Sequence, residues 1–267
     1  MPELPEVETI ARGLAKRVTG DTVESAWIGE KPEPLKSPAD EIVCTLEGAS
    51  IARIHRQGKH IVFELRHKSD RAQFIVHLGM TGRLLIASPD LPVEKHTHAI
   101  LRLRSGRELR FVDPRRFGRL SVHKEKRFEG MEPLDLGFEL FRGLFRKRKT
   151  PIKSALLNQK LLRGIGNIYA DESLARAGIR PRRRAGSLTR DQLHRLYGSI
   201  QQVLNEAIAA GGSSVSDYVD AEGDEGFFQL QHRVYGREGE PCLVCRTPIK
   251  RVVVAGRSTH YCPKCQR

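Results

Sequence analysis

The apolar positions of this 267-residue chain change period as it runs. Val7, Ile10 and Leu14 recur at helical spacing behind Pro5, Glu6 and Glu8, which predicts a helix opening within the first eight residues. Between residues 22 and 125 the spacing becomes that of strands, with short β-rich runs at 61–65, 74–78 and 84–86 separated by turn residues. Residues 99–104 and 108–112 face each other across 105–107 as a predicted hairpin, with Leu101, Leu103, Leu109 and Phe111 on one core face. An N-terminal β-sandwich or barrel is the economical reading. Residues 126–150 keep neither period and read as a connection.

From residue 151 the spacing is helical again. A first helix is predicted over 151–160, Arg163-Gly164-Ile165-Gly166-Asn167 interrupts it, and a second runs from 168 to 177. Gly178 stands where a left-handed cap would, and Pro181 blocks continuation. Thr189 and Gln192 fit a capping box for a helix whose stripe is Leu193, Leu196, Ile200, Val203, Leu204, Ala207 and Ile208, ending at Gly211-Gly212. Residues 213–236 read as a long loop, of the kind that is functional or mobile, with Phe227 and Phe228 as its large apolar pair.

Composition narrows the partner. Lys and Arg number 46 against 32 acidic residues, a net charge of +14, which points to a polyanion, most simply nucleic acid. Arg142, Arg146, Lys147, Arg148 and Lys149 concentrate that charge, as a solvated run or as a phosphate clamp. No apolar run is long enough to span a membrane and no signal segment opens the chain, so a cytosolic protein is expected. In that compartment five cysteines argue for metal over disulfides. Cys242-x-x-Cys245 and Cys262-x-x-Cys265, sixteen residues apart, have the spacing of a closed four-thiolate zinc site, hence one structural zinc. The hairpin between the pairs carries Arg251, Arg257 and His260, which are expected to meet nucleic acid, and Cys44 reads as buried apolar filler.

The first residues carry candidate chemistry. Once Met1 is removed, Pro2 is a secondary amine titrating near pH ~8 rather than ~10.4 for lysine, so more of it is nucleophile at neutral pH. Its adduct with a sugar anomeric carbon is an iminium that cannot be neutralised by deprotonation, and Glu3 stands beside it to move protons. The plain alternative is a helix start. Gly164 and Gly166 would let backbone N–H groups approach a phosphate, or simply make a tight turn.

Together these pieces resemble the formamidopyrimidine-DNA glycosylase family. The resemblance runs through Met1-Pro2-Glu3-Leu4-Pro5-Glu6, Gly58-Lys59, His77-Leu78-Gly79-Met80, Asp113-Pro114-Arg115-Arg116-Phe117-Gly118, Gly164-Ile165-Gly166-Asn167-Ile168-Tyr169-Ala170, Tyr235-Gly236-Arg237 and the cysteine quartet. It implies an α+β chain: an N-terminal helix plus β-sandwich catalytic domain (1–130), a basic linker (131–150), a helix–two-turns–helix domain with a lesion-capping loop (151–236) and a zinc finger (237–267), with DNA held between the domains. It implies bacterial base-excision repair by a bifunctional glycosylase and abasic-site lyase acting on oxidised purines in double-stranded DNA, in a monomer of the cytoplasm and nucleoid. By the same resemblance Pro2 is the Schiff-base nucleophile, Glu3 the proton donor at the sugar, Glu6 a supporting acid, Lys59 the donor for β-elimination and Arg257 for δ-elimination. The resemblance also implies that Asn167 binds phosphate, that His96, Arg115 and Arg148 contact DNA, and that Met80, Arg115 and Phe117 fill the gap left by the extruded base. A duplex base must leave the stack to be reached, and apolar wedges suit the void it leaves.

Two departures stand out: Met131-Glu132-Pro133-Leu134, where the family usually has Gly-Pro-Glu-Pro-Leu, and Ser213-Ser214, where it often has two threonines. The second adjoins the capping loop and bears on lesion preference. Two rival readings are the endonuclease VIII branch, which prefers oxidised pyrimidines and against which Leu4 and Pro5 stand, and a non-enzymatic zinc-finger DNA binder, which would need none of Pro2, Glu3, Lys59 and Arg257.

Overall fold

A computed structural model describes residues 1–67, 70–214 and 219–267. The described chain forms two compact units, 1–128 with 210–227, and 129–209 with 228–267.

The first unit opens on helix α1 (Leu4–Val18), whose Leu4, Val7, Ile10, Leu14 and Val18 are fully buried. Two antiparallel four-stranded sheets follow. One joins β1 (Val23–Ile28), β6 (Thr97–Leu103), β7 (Glu108–Val112) and β5 (Arg83–Ala87) in that order. The other joins β2 (Ser50–Gln57), β3 (His60–His67), β4 (Asp70–His77) and β8 (Arg119–His123). Leu101 pairs with Leu109 and Ala99 with Phe111, so the predicted core face of the β6–β7 hairpin is the buried one. A helix α2 (Ala39–Leu46), absent from the strand reading of 22–125, buries Ile42 and Leu46. Cys44 on its other side is exposed rather than core filler.

In the second unit, the segment read as a connection contains α3 (Phe138–Phe145). Phe141 and Phe145 lie edge-on 4.9 Å apart, and Phe138 and Phe141 meet Tyr197, so aromatic spacing supplies the helix's buried face. The predicted 151–160 helix is only α4 (Ile152–Leu156), because Gln159 turns the chain by donating to the Leu157 and Ile165 carbonyls and accepting from Gly164 N. Helix α5 (Asn167–Ala177) ends on left-handed Gly178 as expected. Helix α6 (Arg190–Ala209) has its Thr189–Gln192 box in place, with reciprocal bonds of 3.0 and 3.2 Å. A hairpin of β9 (Lys250–Val254) and β10 (Arg257–Tyr261) completes the unit. Ala255 and Gly256, both at positive φ, form its two-residue turn.

Candidate nucleic-acid interface and catalytic site

In the first unit the predicted catalytic residues are built around the start of α1. Pro2 is buried, as are Glu3 and Glu6. Glu3 caps the helix through a reciprocal box: its side chain accepts from Glu6 N, and Glu6 Oε2 accepts from Glu3 N at 2.8 Å. Glu6 Oε1 accepts from Ser213 N at 2.8 Å, tying the helix start to the 210–227 segment. Gly212, at φ +86°, lies so close that a Cβ there would stand 2.9 Å from Glu6 Cγ. Residues 215–218 of the expected lesion-capping loop lie outside the described residues. The flanks close on each other, Gly226 N donating to Ser214 Oγ and Phe227 N to the Ala210 carbonyl.

Lys59 sits in the tight Gly58-Lys59 turn between β2 and β3 and is buried. Arg56 latches that turn to α1, donating to the Gly58 carbonyl and pairing with Glu8 at 2.8 Å. His77, at the end of β4, accepts from Gly79 N through Nδ1, and its ring lies tilted against that of His60 with the ring centres 5.0 Å apart. Burial first, then the cationic surroundings of His60, Lys59, Arg119 and Lys126, push its pKa down to about 3, so it stays neutral and can hold that turn.

The three residues expected to fill a base gap are all exposed: Met80 at 40 %, Phe117 at 49 % and Arg115, whose guanidinium lies 4.9 Å from the Phe117 ring centre. Large apolar side chains held in solvent by a rigid frame are better explained by a ligand than by the core. The frame is Asp113, fully buried and given no role by the sequence reading. It accepts from Thr81 Oγ1 (2.6 Å), Gly118 N (2.7 Å) and Arg115 N (3.3 Å). Gly79, at φ +65°, has the Phe117–Gly118 backbone 2.5 Å from where a Cβ would be, so the loops that carry Met80 and Phe117 pack backbone to backbone. Exposed His96 is also left-handed (φ 71°), and its carbonyl accepts from Asp113 N.

In the second unit Asn167, first residue of α5, donates to the Ser258 carbonyl at 2.9 Å, and its Oδ1 has no hydrogen-bond partner among the described residues. Arg257 is exposed directly after the hairpin turn. Behind it lies a fully buried ion pair that sequence reading missed, Lys153 Nζ to Asp171 Oδ1 at 2.7 Å. Lys153 also donates to the Ser258 carbonyl and Thr259 Oγ1, and Asp171 Oδ2 accepts from His260 N. His260, expected to meet nucleic acid, is instead 7 % exposed, against Asp171 and Tyr235. Buried Glu172 next door accepts from the backbone N–H groups of Arg233, Val234 and Tyr235, fixing the entry to the finger. Arg148 is half-buried, its Nε donating to the Leu144 carbonyl.

The four Sγ atoms of Cys242, Cys245, Cys262 and Cys265 all lie within 4.8 Å of one another, with Cys242–Cys265 at 3.9 Å and Cys245–Cys262 at 3.4 Å. Tetrahedral zinc with Zn–S near 2.3 Å needs sulfurs ~3.8 Å apart, so the cluster is positioned to hold one zinc. Among the described residues no helix is long and apolar enough to cross a membrane.

A sandwich with an acid-capped helix start, a helical unit and a four-cysteine finger define a class of DNA-repair glycosylase. Three family models cover nearly the whole chain: the formamidopyrimidine-DNA glycosylase N-terminal domain over 1–120, its H2TH domain over 130–219, and the zinc finger found in FPG and IleRS over 239–267. The chain belongs to the formamidopyrimidine-DNA glycosylase family. It is 48 % identical over 271 residues to the formamidopyrimidine-DNA glycosylase of Solibacter usitatus, covering all of both chains. Among solved structures it resembles a Lactococcus lactis FPG mutant in complex with Fapy-dG-containing DNA (TM-score 0.91, 37 % identity, all of both chains). It also resembles the same organism's Fpg in complex with DNA containing an abasic site (TM-score 0.90, 37 % identity, 99 % of both chains).

Proposed function

We propose that this chain is a bifunctional DNA glycosylase and abasic-site lyase of base-excision repair, acting on oxidised purines such as 8-oxoguanine and formamidopyrimidines in double-stranded DNA. The observation that carries the reading is the buried Glu3–Glu6 box beside Pro2, in a chain of this family. Two carboxylates buried at a helix start are costly unless used, and one of them also anchors the Ser213 segment.

With Met1 attached the Pro2 nitrogen is an amide; its removal frees the amine. The nitrogen lone pair then bonds to C1′ as the bond to the base breaks, and the base leaves with the electron pair of that broken bond and takes up the proton that the Pro2 nitrogen sheds. The C1′–O4′ bond opens next, O4′ taking a proton from Glu3, which leaves a Pro2 iminium as electron sink. A C2′ proton passes to water as the 3′ phosphate leaves with the C3′–O electron pair, with Lys59 as donor, and loss of the C4′ proton to water then expels the 5′ phosphate with the C5′–O pair, with Arg257 as donor. Glu6 holds the helix start that carries Glu3. Met80 and Phe117 occupy the vacated stack and Arg115 reaches the orphaned base, while His96, Arg148 and Asn167 hold phosphates. Cys242, Cys245, Cys262 and Cys265 would hold one zinc with no position left open, so it would order the finger and supply no chemical step.

The test is borohydride trapping on matched duplexes, one bearing 8-oxoguanine opposite cytosine and one an oxidised pyrimidine. A covalent complex that forms faster on the first supports the reading. Faster trapping on the pyrimidine duplex moves the substrate to the rival branch, and binding without any trapping makes the protein a non-enzymatic binder.

A further inference from the structure

The second unit contains a basic pocket of about 690 Å³, formed by α3, the start of α6, the basic segment from Arg146 and the short turn at Ala185–Ser187. Four cations line it, Arg142, Arg146, Lys147 and Arg190, against the single carboxylate of Glu139. Glu139 bridges two of them, Oε2 to Arg142 at 2.9 Å and Oε1 to Arg190 at 3.2 Å. One carboxylate engages few of a guanidinium's five N–H donors, so the bridge holds two forks in place with donors to spare.

The wall of the pocket is fixed. Lys147 is left-handed at φ 61°, a conformation that costs a non-glycine residue roughly 1–2 kcal/mol. It is clamped there: Gly186 N donates to the Arg148 carbonyl, Ala185 N to the Thr150 carbonyl, and Arg148 N to the Phe145 carbonyl. Gly186 approaches so closely that a Cβ would stand 2.8 Å from Arg148 N and O. Strain kept in a clamped, basic, exposed loop points to a ligand rather than to packing.

We propose that this pocket seats backbone phosphates of the duplex beyond those held by Arg148, lengthening the DNA contact of the second unit. The inference rests on the reading of Arg148 as a phosphate contact; it places Arg142 of the basic run at a defined seat and adds Arg190, which no sequence feature marks. Two observations favour a nucleic-acid backbone over an acidic protein segment. The pocket is continuous with Arg148 through the clamped Lys147 peptide. Its apolar floor, Phe145, Leu188 and Leu193, is buried (1 %, 8 % and 6 % exposed), so no apolar anchor would find a seat, whereas forked guanidiniums match phosphate oxygens.

The experiment compares the full zinc-loaded protein with the Arg142→Gln/Arg190→Gln double variant and with Arg148→Ala. Each is titrated against a duplex of about 25 base pairs and one of about one helical turn, both centred on the same lesion, across a series of salt concentrations. Both glutamine sites are exposed, and matching melting curves confirm folding. On the long duplex the double variant should lose roughly 1.8 from the slope of log K against log salt, about 0.9 per phosphate released. Its affinity loss, at least ten-fold at low salt, should shrink to less than two-fold on the short duplex. An unchanged slope on the long duplex, with Arg148→Ala still weakening binding, would overturn the pocket while leaving the DNA reading intact. Loss of neither slope nor affinity in either variant would instead remove the reading beneath it. A labelled Asp/Glu-rich peptide bound by the wild type and released by the double variant, with DNA slopes equal, would assign the pocket to a protein partner and also overturn the proposal.

Discussion

Replacing Asp171 by asparagine should damage the finger more than any surface change nearby. The Lys153–Asp171 pair is fully buried at 2.7 Å, and it holds β10 through the Ser258 carbonyl, Thr259 Oγ1 and His260 N. Asparagine keeps the shape and most hydrogen bonding but leaves the Lys153 ammonium in the interior without a counter-charge, which costs ~3–5 kcal/mol when one partner of a buried pair is removed. The Lys153→Met/Asp171→Leu pair removes both charges. Its cost is set mainly by three lost hydrogen bonds of ~1 kcal/mol each, and so should fall well below the sum of the two single changes. The assay is urea unfolding of the zinc-loaded protein with hydrogen exchange followed over residues 250–261. Asp171→Asn should accelerate exchange in the hairpin while the sandwich strands stay protected. Because Arg257 adjoins Ser258, abasic-site cleavage should shift from β,δ- towards β-elimination products. A loss below ~1 kcal/mol with unchanged hairpin exchange would refute the idea that this pair welds the hairpin to α5.

Three further outcomes follow from the sites. Glu3→Gln should lower 8-oxoguanine excision by about 10²-fold or more while sparing cleavage of a ready-made abasic site, read on gels of paired duplexes, since the proton is needed as the base is lost; equal losses on both would place Glu3 elsewhere. Chelating zinc should abolish damaged-duplex binding without shifting unfolding of the first unit, which Trp27, the sole tryptophan, reports; unchanged affinity at fixed salt would remove the finger from the interface. Burial holds the folded pKa of His77 at about 3 against 6.5 for a solvated imidazole, so the folded state binds fewer protons between those values, and its contribution to stability is complete above pH 6.5 and lost as pH falls towards 3. His77→Gln should therefore flatten the pH dependence of unfolding in that window by up to ~1.4 kcal/mol per pH unit, and an unaltered slope would mean that His77 titrates normally.

What the sequence made legible is what local physics decides. The β6–β7 hairpin, the Thr189 box, the Gly178 cap and the cysteine quartet each need only neighbours along the chain, and each stands as read. Helix α3 was obscured because the basic run that begins at Arg142 and continues past its end outweighed the spacing of Phe138, Phe141 and Phe145, and α2 because a short helix among strands has little period to show. The buried charges escaped for another reason. Lys153, Asp171 and Glu172 sit in apolar helical runs, and a charge there is a legible anomaly, but its partners lie 18, 89 and 61 or more residues away. His260 and Cys44 show the converse, since burial of a single side chain follows from packing across elements.

The central claim is that the Pro2 nitrogen attacks the sugar. It is tested most directly by trapping Met1-processed protein on an 8-oxoguanine duplex with borohydride, digesting the complex and locating the reduced sugar adduct by mass spectrometry. The account predicts the adduct on the N-terminal Pro2 peptide, and none when Met1 is retained and the nitrogen stays an amide. An adduct on Lys59, or equal trapping by the Met1-retained protein, would contradict it.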